Sequence, residues 1–245
     1  VERVPQAVAI TNPRFPAVYS LNFVRIDPAN APSDAGAVAS LADELQSPHG
    51  LTHRRVLVND EELGDRMAPG FRELGWLVDR LVVMALHGDP PATPKDVVAR
   101  EFSEPEIAEA RRRYYGWRSD SGGASLTNEV VEQLVGARVV TAERVGVRNF
   151  GAIADGEVAS FCDLYSDGST AQIEDVGTIE PFRKRGLSRA VVQTAVDVAR
   201  SEKHDLIFLV ADEEDWPKDF YARLGFDPIG AIYEFTLLPD RTARA

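Results

Sequence analysis

The stretch T178-I-E-P-F-R-K-R-G-L-S-R-A-V-V192 sets Arg183, Lys184, Arg185 and Arg189 around one glycine, Gly186. Before it, T170-A-Q-I-E-D-V-G-T178 reads as a strand. After it, Leu187, Ala190, Val191, Thr194, Ala195 and Val198 recur at helical spacing on one face. A strand that turns into a helix so quickly leaves the first helical N–H groups unpaired and pointing into the turn. With the positive end of the helix dipole they make an anion site. Cations placed there oppose the dipole, so the cluster argues for a bound anion that reverses the penalty. Gly186 would let that anion approach the main chain, and the basic side chains would add charge-assisted contacts to phosphate oxygens.

The flanking pattern is a strand meander. R144-V-G-V-R-N-F-G-A-I153, V158-A-S-F-C-D-L-Y165 and residues 170–178 are joined by A154-D-G-E157 and S166-D-G-S169, both with Asp-Gly at the centre of a hairpin turn. Beyond the helix come the strand D205-L-I-F-L-V-A211, a helix over 217–224 with Pro217 in its first turn, and two closing strands, F226-D-P-I229 and A231-I-Y-E-F-T-L237. Upstream lie a strand over 96–102, a helix from Ser103 with Glu106 as its capping partner, a loop at 119–125, and a helix over 127–140 capped by Thr127 or Asn128. The triple arginine 111–113 reads as a solvated helix face.

The N-terminal half gives a Pro-rich lead, a strand over 16–26, a helix over 35–45, a strand over 53–60, a helix over 61–74 and a strand over 76–86. H87-G-D-P-P-A-T-P94 carries three prolines and a glycine in eight residues, which sets a boundary between domains 1–90 and 91–245. Residues 53–76 can be laid over 204–226: each is a strand, an Asp-Glu-Glu step, an amphipathic helix ending in Leu-Gly, and an aromatic residue that opens another strand. Tyr221 of the second copy falls on Phe71 of the first, and the first half has no match for the Arg/Gly turn. Chemistry that needs a phenol or a phosphate cradle therefore belongs to the C-terminal half.

At 245 residues, 44% hydrophobic and 27% charged, the chain has an ordinary globular composition. It carries 27 basic and 39 acidic side chains, a formal net charge of −12, which disfavours nucleic acid and acidic membranes as partners and tilts toward cationic substrates. No apolar run approaches a membrane span, and V1-E-R-V-P-Q-A-V-A-I10 is a poor secretory segment, so a cytoplasmic location is expected. Cys162 is the single cysteine and reads as a small core side chain. His49, His53, His87 and His204 make no ligand spacing, so no metal is expected.

R183-K-R-G-L-S188 resembles the Arg/Gln-x-x-Gly-x-Gly/Ala pyrophosphate loop of the GNAT superfamily of acyl-CoA N-acyltransferases, and the order of elements around it is similar to that family over residues 95–238. Ser188 departs from the usual Gly or Ala, and Glu180 stands where a proline is usual, with Pro181 one place later. The resemblance implies an α+β fold, a mixed and mainly antiparallel sheet flanked by helices, duplicated in two domains. In it the N-terminal half is a degenerate, non-catalytic copy that shapes the acceptor site. It implies acetyl-CoA as cosubstrate, with the main chain of Val176, Gly177 and Thr178 pairing with the pantetheine arm. Arg183, Lys184, Arg185, Gly186, Leu187, Ser188 and Arg189 would wrap the pyrophosphate.

Acetyl transfer to an amine then calls for a proton donor to the leaving thiolate, which the resemblance puts at Tyr221. Carbonyl polarisation falls to a backbone N–H near Val176 or Thr178. The base is open: Glu174, which strand alternation sets on one face with Gln172, Val176 and Thr178 while Asp175 points the other way; the acidic run 212–215; or a water chain. The expected activity is an acetyl-CoA-dependent N-acetyltransferase acting on a primary amine of a small molecule or peptide. The alternative is a non-catalytic acyl-CoA sensor. The remaining partner to consider is a second copy of the chain in a homodimer.

Overall fold

The computed structural model describes residues 1–89, 97–120, 126–214 and 217–239. Residues 90–94 of the expected linker 87–94, the core of the loop at 119–125 and Asp215 lie outside them. The chain forms two compact units, one of Val1–Val83, Ala211–Lys218 and Ile229–Ala245, the other of Met84–Val210 and Asp219–Pro228. A single cut between 90 and 91 differs from this grouping because two later segments belong with the N-terminal one.

The first unit begins with β1 (Glu2–Val4) and β2 (Ala7–Ile10), an antiparallel hairpin turning at Pro5 and Gln6, where the sequence suggests only an irregular lead. The expected strand over 16–26 is shorter: Tyr19–Leu21 is a 3-10 turn and β3 covers Phe23–Ile26, antiparallel to β2. Helix α1 (Ala35–Gln46) starts at Asp34, whose carboxylate accepts from the Ala37 N–H at 2.9 Å. β4 (Arg54–Val58) then runs parallel to β3. Helix α2 (Glu61–Glu73) is capped in the same way, Asp60 accepting from Leu63 N–H at 2.7 Å, and β5 (Leu77–Leu86) follows.

The second unit opens with β6 (Ala99–Phe102) and α3 (Glu104–Asp120), where Glu106 accepts from the N–H and hydroxyl of Ser103 at 2.7 and 2.6 Å. The helical stretch after Thr127 breaks at Ala137 into α4 (Asn128–Gly136) and α5 (Arg138–Ala142). β7 (Gly146–Ala154), β8 (Glu157–Ser166) and β9 (Thr170–Thr178) form the expected meander, continued by β6 on the far side of β7. Asp155 and Gly156 both have positive φ, 54° and 88°, as a two-residue hairpin turn requires. Helix α6 (Leu187–Ser201) buries Leu187, Ala190, Val191, Ala195 and Val196, and β10 (Leu206–Asp212) pairs parallel to β9. Helix α7 (Pro217–Ala222) follows.

The chain closes with one continuous strand, β11 (Phe226–Leu237), instead of two. From Ile229 onward it belongs to the first unit, antiparallel to β4, and Phe235 stacks on Phe71 with ring centroids 4.1 Å apart inside that unit's core. The fold is α+β, mostly antiparallel strands flanked by helices. The two repeat segments are β4-α2-β5 and β10-α7-β11, and their Leu-Gly steps end alike, with Gly75 and Gly225 left-handed at φ 78° and 89°.

Candidate active site

The site is built where β9 leaves β10. Their ladder joins Thr170–Ile173 to Leu206–Leu209 and stops there, although both strands continue. On the other side of β9, Asp163 is opposite Glu174 but Phe161 is opposite Gly177, so β9 holds one extra residue, a bulge with Asp175 at φ 52°. Simple alternation fails across it. Phe161 and Asp163 share a face of β8, so Glu174 lies with Gln172 and Gly177, while Thr178, opposite Ser160, lies on the other face. The expectation that Glu174, Val176 and Thr178 share one face is thus corrected by the bulge. Gly177 is required by space as well, since a Cβ there would come within 2.6 Å of the Phe161 ring.

Beyond Thr178 the chain makes a 3-10 turn over Glu180–Phe182 with Pro181 inside it, and Arg183 N–H donates to the Glu180 carbonyl at 3.1 Å. Glu180 is thereby the start of the turn. Lys184 and Gly186 are left-handed, at φ 62° and 81°, and Gly186 occupies the N-cap of α6 with no side-chain cap bond. Alternating backbone hands of this kind turn successive N–H groups into one concavity, which suits an anion. The Arg183 guanidinium lies 4.2 Å from the Trp117 ring centroid, Arg185 pairs with Asp155 at 3.0 Å, and Leu187 is buried below the turn. Lys184 is exposed and Arg189 half-buried. The Ser188 hydroxyl sits 2.6 Å from Thr178 Oγ1, which lies 2.8 Å from Ser160 Oγ; Ser160 in turn donates to the Gly177 carbonyl at 2.8 Å. This hydroxyl chain ties the strand end to the first turn of the helix, so Ser188 has a structural partner where phosphate contact was expected.

Under the bulge, on the α3 side, the sequence reading missed a buried ionic cluster. Arg111 is fully buried and bonds Asp163 and Asp175, with Asn149 Oδ1 at 3.2 Å from its Nη2. Arg138 pairs with Asp163 and, at 3.5 Å, with Asp175, and Tyr115 donates to Asp175 at 2.7 Å. The expected solvated face holds for two of the three arginines and fails for Arg111, which is core; Arg112 and Arg113 lie at the surface, where they pair with Glu132 at 2.7 Å and with Glu157. Asp175 likewise points to the same side as Asp163. The signal was an aspartate, Asp163, inside the apolar run 158–164.

Glu174 accepts from the Gln172 side-chain amide, and burial pushes its carboxyl up to about 7, the Asp175 charge adding to the rise and Arg138 opposing it. Tyr221 is buried on α7, its ring 6.2 Å from that of Phe226. Burial raises its phenol above the ordinary range, with Cys162 and Glu174 acting in the same sense. The site thus holds a carboxyl that changes charge near neutrality and a phenol that keeps its proton. Cys162 is a buried thiol whose Sγ donates to the Val191 carbonyl at 3.4 Å. Among the described residues, no group of His, Cys, Asp and Glu is arranged to hold a metal, and no helix is long and apolar enough to cross a membrane.

The family model for the acetyltransferase (GNAT) family matches residues 97–226. No curated protein matches the chain. Among solved structures, a functionally unknown conserved protein from Staphylococcus epidermidis is similar with a TM-score of 0.70 and 17% identity, over 96% of this chain and 92% of that one. A GCN5-related N-acetyltransferase from Sphaerobacter thermophilus gives 0.58 and 19%, over 87% and 71%. A tandem GNAT protein from the clavulanic acid biosynthesis pathway gives 0.58 and 17%, over 88% and 74%. At these identities the structures speak for the fold, whereas the family match spans more than half of the chain and includes the bulge, the Arg/Gly turn and Tyr221. The chain belongs to the GNAT acetyltransferase family.

Proposed function

We propose that the protein is an acetyl-CoA-dependent N-acetyltransferase that moves an acetyl group directly to a primary amine of a small molecule or peptide. In this reading residues 91–245 carry the chemistry and residues 1–90 form a non-catalytic GNAT-like half. The observation that carries it is the start of α6: a helix of fifteen residues with a left-handed glycine at its N-cap, no side-chain cap, and Arg183, Lys184, Arg185 and Arg189 around it. This start lies one short turn beyond a bulged strand that has left its neighbour. These residues fit a pyrophosphate at the helix end and an extended pantetheine arm along Val176, Gly177 and Thr178.

Acetyl-CoA supplies a thioester carbonyl and a thiolate leaving group. A backbone N–H at Val176 or Thr178 polarises the carbonyl oxygen. Glu174, with its carboxyl near 7, takes the proton the amine loses as its nitrogen bonds the carbonyl carbon. Tyr221 gives its phenolic proton to the sulfur as the C–S bond breaks. The acidic composition favours a cationic acceptor, whose reacting ammonium gives one proton to water and becomes a neutral amine before its nitrogen attacks.

Calorimetric titration of acetyl-CoA at two salt concentrations tests the reading. One site per chain, weakened by salt, is expected. Absence of heat at millimolar cofactor would sink it. Tyr221→Phe then separates enzyme from sensor: turnover falls with binding intact if the phenol is the proton donor, and the sensor alternative gains if wild type binds acetyl-CoA but acetylates no amine.

A further inference from the structure

We infer that Arg111 is a positioning residue for this site, a clamp from α3 that holds the β9 bulge in the geometry that presents Glu174 and the main chain of Val176 and Gly177. The guanidinium is fully buried and its donors reach three adjacent strands: Asn149 on β7, Asp163 on β8 and Asp175 on β9. Asn149 and Asp163 stand in one row with Glu174, the residue just before Asp175, since Asn149 is directly opposite Asp163 and Asp163 directly opposite Glu174. The row is the level at which the β8–β9 register shifts.

The partners also converge on the one irregular residue. Asp175 stands at φ 52°, a conformation that glycine takes freely and most side chains resist. Aspartate tolerates it better than most, and here its carboxylate is fixed by Arg111, by Tyr115 at 2.7 Å and by Arg138 at 3.5 Å. Apolar residues would fill the same space at least as stably, because desolvating a buried ion pair offsets much of its attraction. What the ionic arrangement adds is direction: the planar fork of arginine fixes two carboxylates and an amide at set angles, which a hydrophobic contact does not. The bulge is thereby coupled to α3, the helix that also carries Trp117 beneath Arg183.

The catalytic consequence rests on the proposed function, but the clamp can be tested without it. Arg111→Lys keeps the charge and loses the fork; Asp175→Asn keeps the shape and the tolerance of positive φ and loses the charge. Hydrogen exchange of the free proteins is expected to speed up by about tenfold or more at amides 174–178, with smaller changes elsewhere in β7 and β8. In each variant acetyl-CoA binding should weaken about tenfold, and in Asp175→Asn the acidic limb of the kcat/KM profile should move to lower pH, because the neighbouring negative charge is gone. An ion pair serving only stability would lower Tm and raise exchange evenly across the second unit; that outcome, or unchanged exchange at 174–178 in both variants, overturns the clamp. If wild type fails to bind acetyl-CoA, the functional reading falls and the exchange pattern still decides the clamp.

Discussion

Two helices of this molecule occupy the same place in their units and end differently at their N-termini. Helix α1 follows the antiparallel strands β1–β3 and leads to β4, parallel to β3; α6 follows β7–β9 and leads to β10, parallel to β9. Asp34 closes the first with a carboxylate on Ala37 N–H, so that end already has its negative charge. The second starts at Gly186 without a side-chain cap and is flanked by cations. One helix end is closed by its own carboxylate; the other has no side-chain cap and, on the proposed function, is closed by the cofactor's phosphates. Two helices in matching places therefore need not carry matching sites: the first has a capping carboxylate and lacks the basic turn that flanks the second.

That contrast would break if the chemistry did not need the second unit's own groups. The largest expected effect is that of Glu174→Gln: kcat/KM falls about 10²- to 10⁴-fold, and the rise of wild-type activity with pH through about 7 disappears. The same substitution carries a stability signature. A carboxyl raised from 4.5 to about 7 by folding contributes stability that is present below its unfolded value and lost as pH rises through its folded one. At pH 8 the glutamine variant should therefore melt higher than wild type in calorimetry. Unchanged activity would remove Glu174 from the mechanism.

Tyr221→Phe makes the second repeat match Phe71 of the first. Its kcat should drop about 10²-fold in steady-state kinetics with acetyl-CoA affinity preserved. Gly186→Asp puts a carboxylate at the start of α6, on a left-handed residue where Asp34 of α1 is extended, and should weaken acetyl-CoA binding by about tenfold or more in calorimetry. The smallest effect is in the reverse direction: Asp34→Ala uncaps α1, lowers Tm by a few degrees and leaves acetyl-CoA stoichiometry at one, because α1 lacks the basic turn. A second binding event in that variant would show that the cap alone separates the helices.

The turns and the open helix start were legible because their chemistry is local. Asp155 and Gly156 take the positive φ of a two-residue hairpin turn, and a basic run before an amphipathic helix signals an anion on its own. The bulge was not, because Asp175 is held left-handed by Arg111, 64 residues away, and an alternation rule cannot see an inserted residue. The same blindness hid Arg111 itself, which looks solvated in the run 111–113 until Asp163 and Asp175 are brought under it. At the N-terminus the Pro-rich lead offered no strand pattern, yet its Pro5 is part of the tight turn between β1 and β2. Legibility ended wherever a residue's conformation is decided by a partner distant in the chain.

The last strand sets an order of events during translation. The first unit's β4 pairs with residues 233–237, and its Phe71 finds its stacking partner in Phe235. While the ribosome is still making the second unit, residues 1–83 wait with one edge of β4 unpaired and one face of Phe71 uncovered. Domains ordinarily finish in the order in which they are synthesised. Here the half that emerges first is completed last: a nascent chain stopped before Ile229 has neither the strand that pairs with β4 nor the ring that stacks on Phe71.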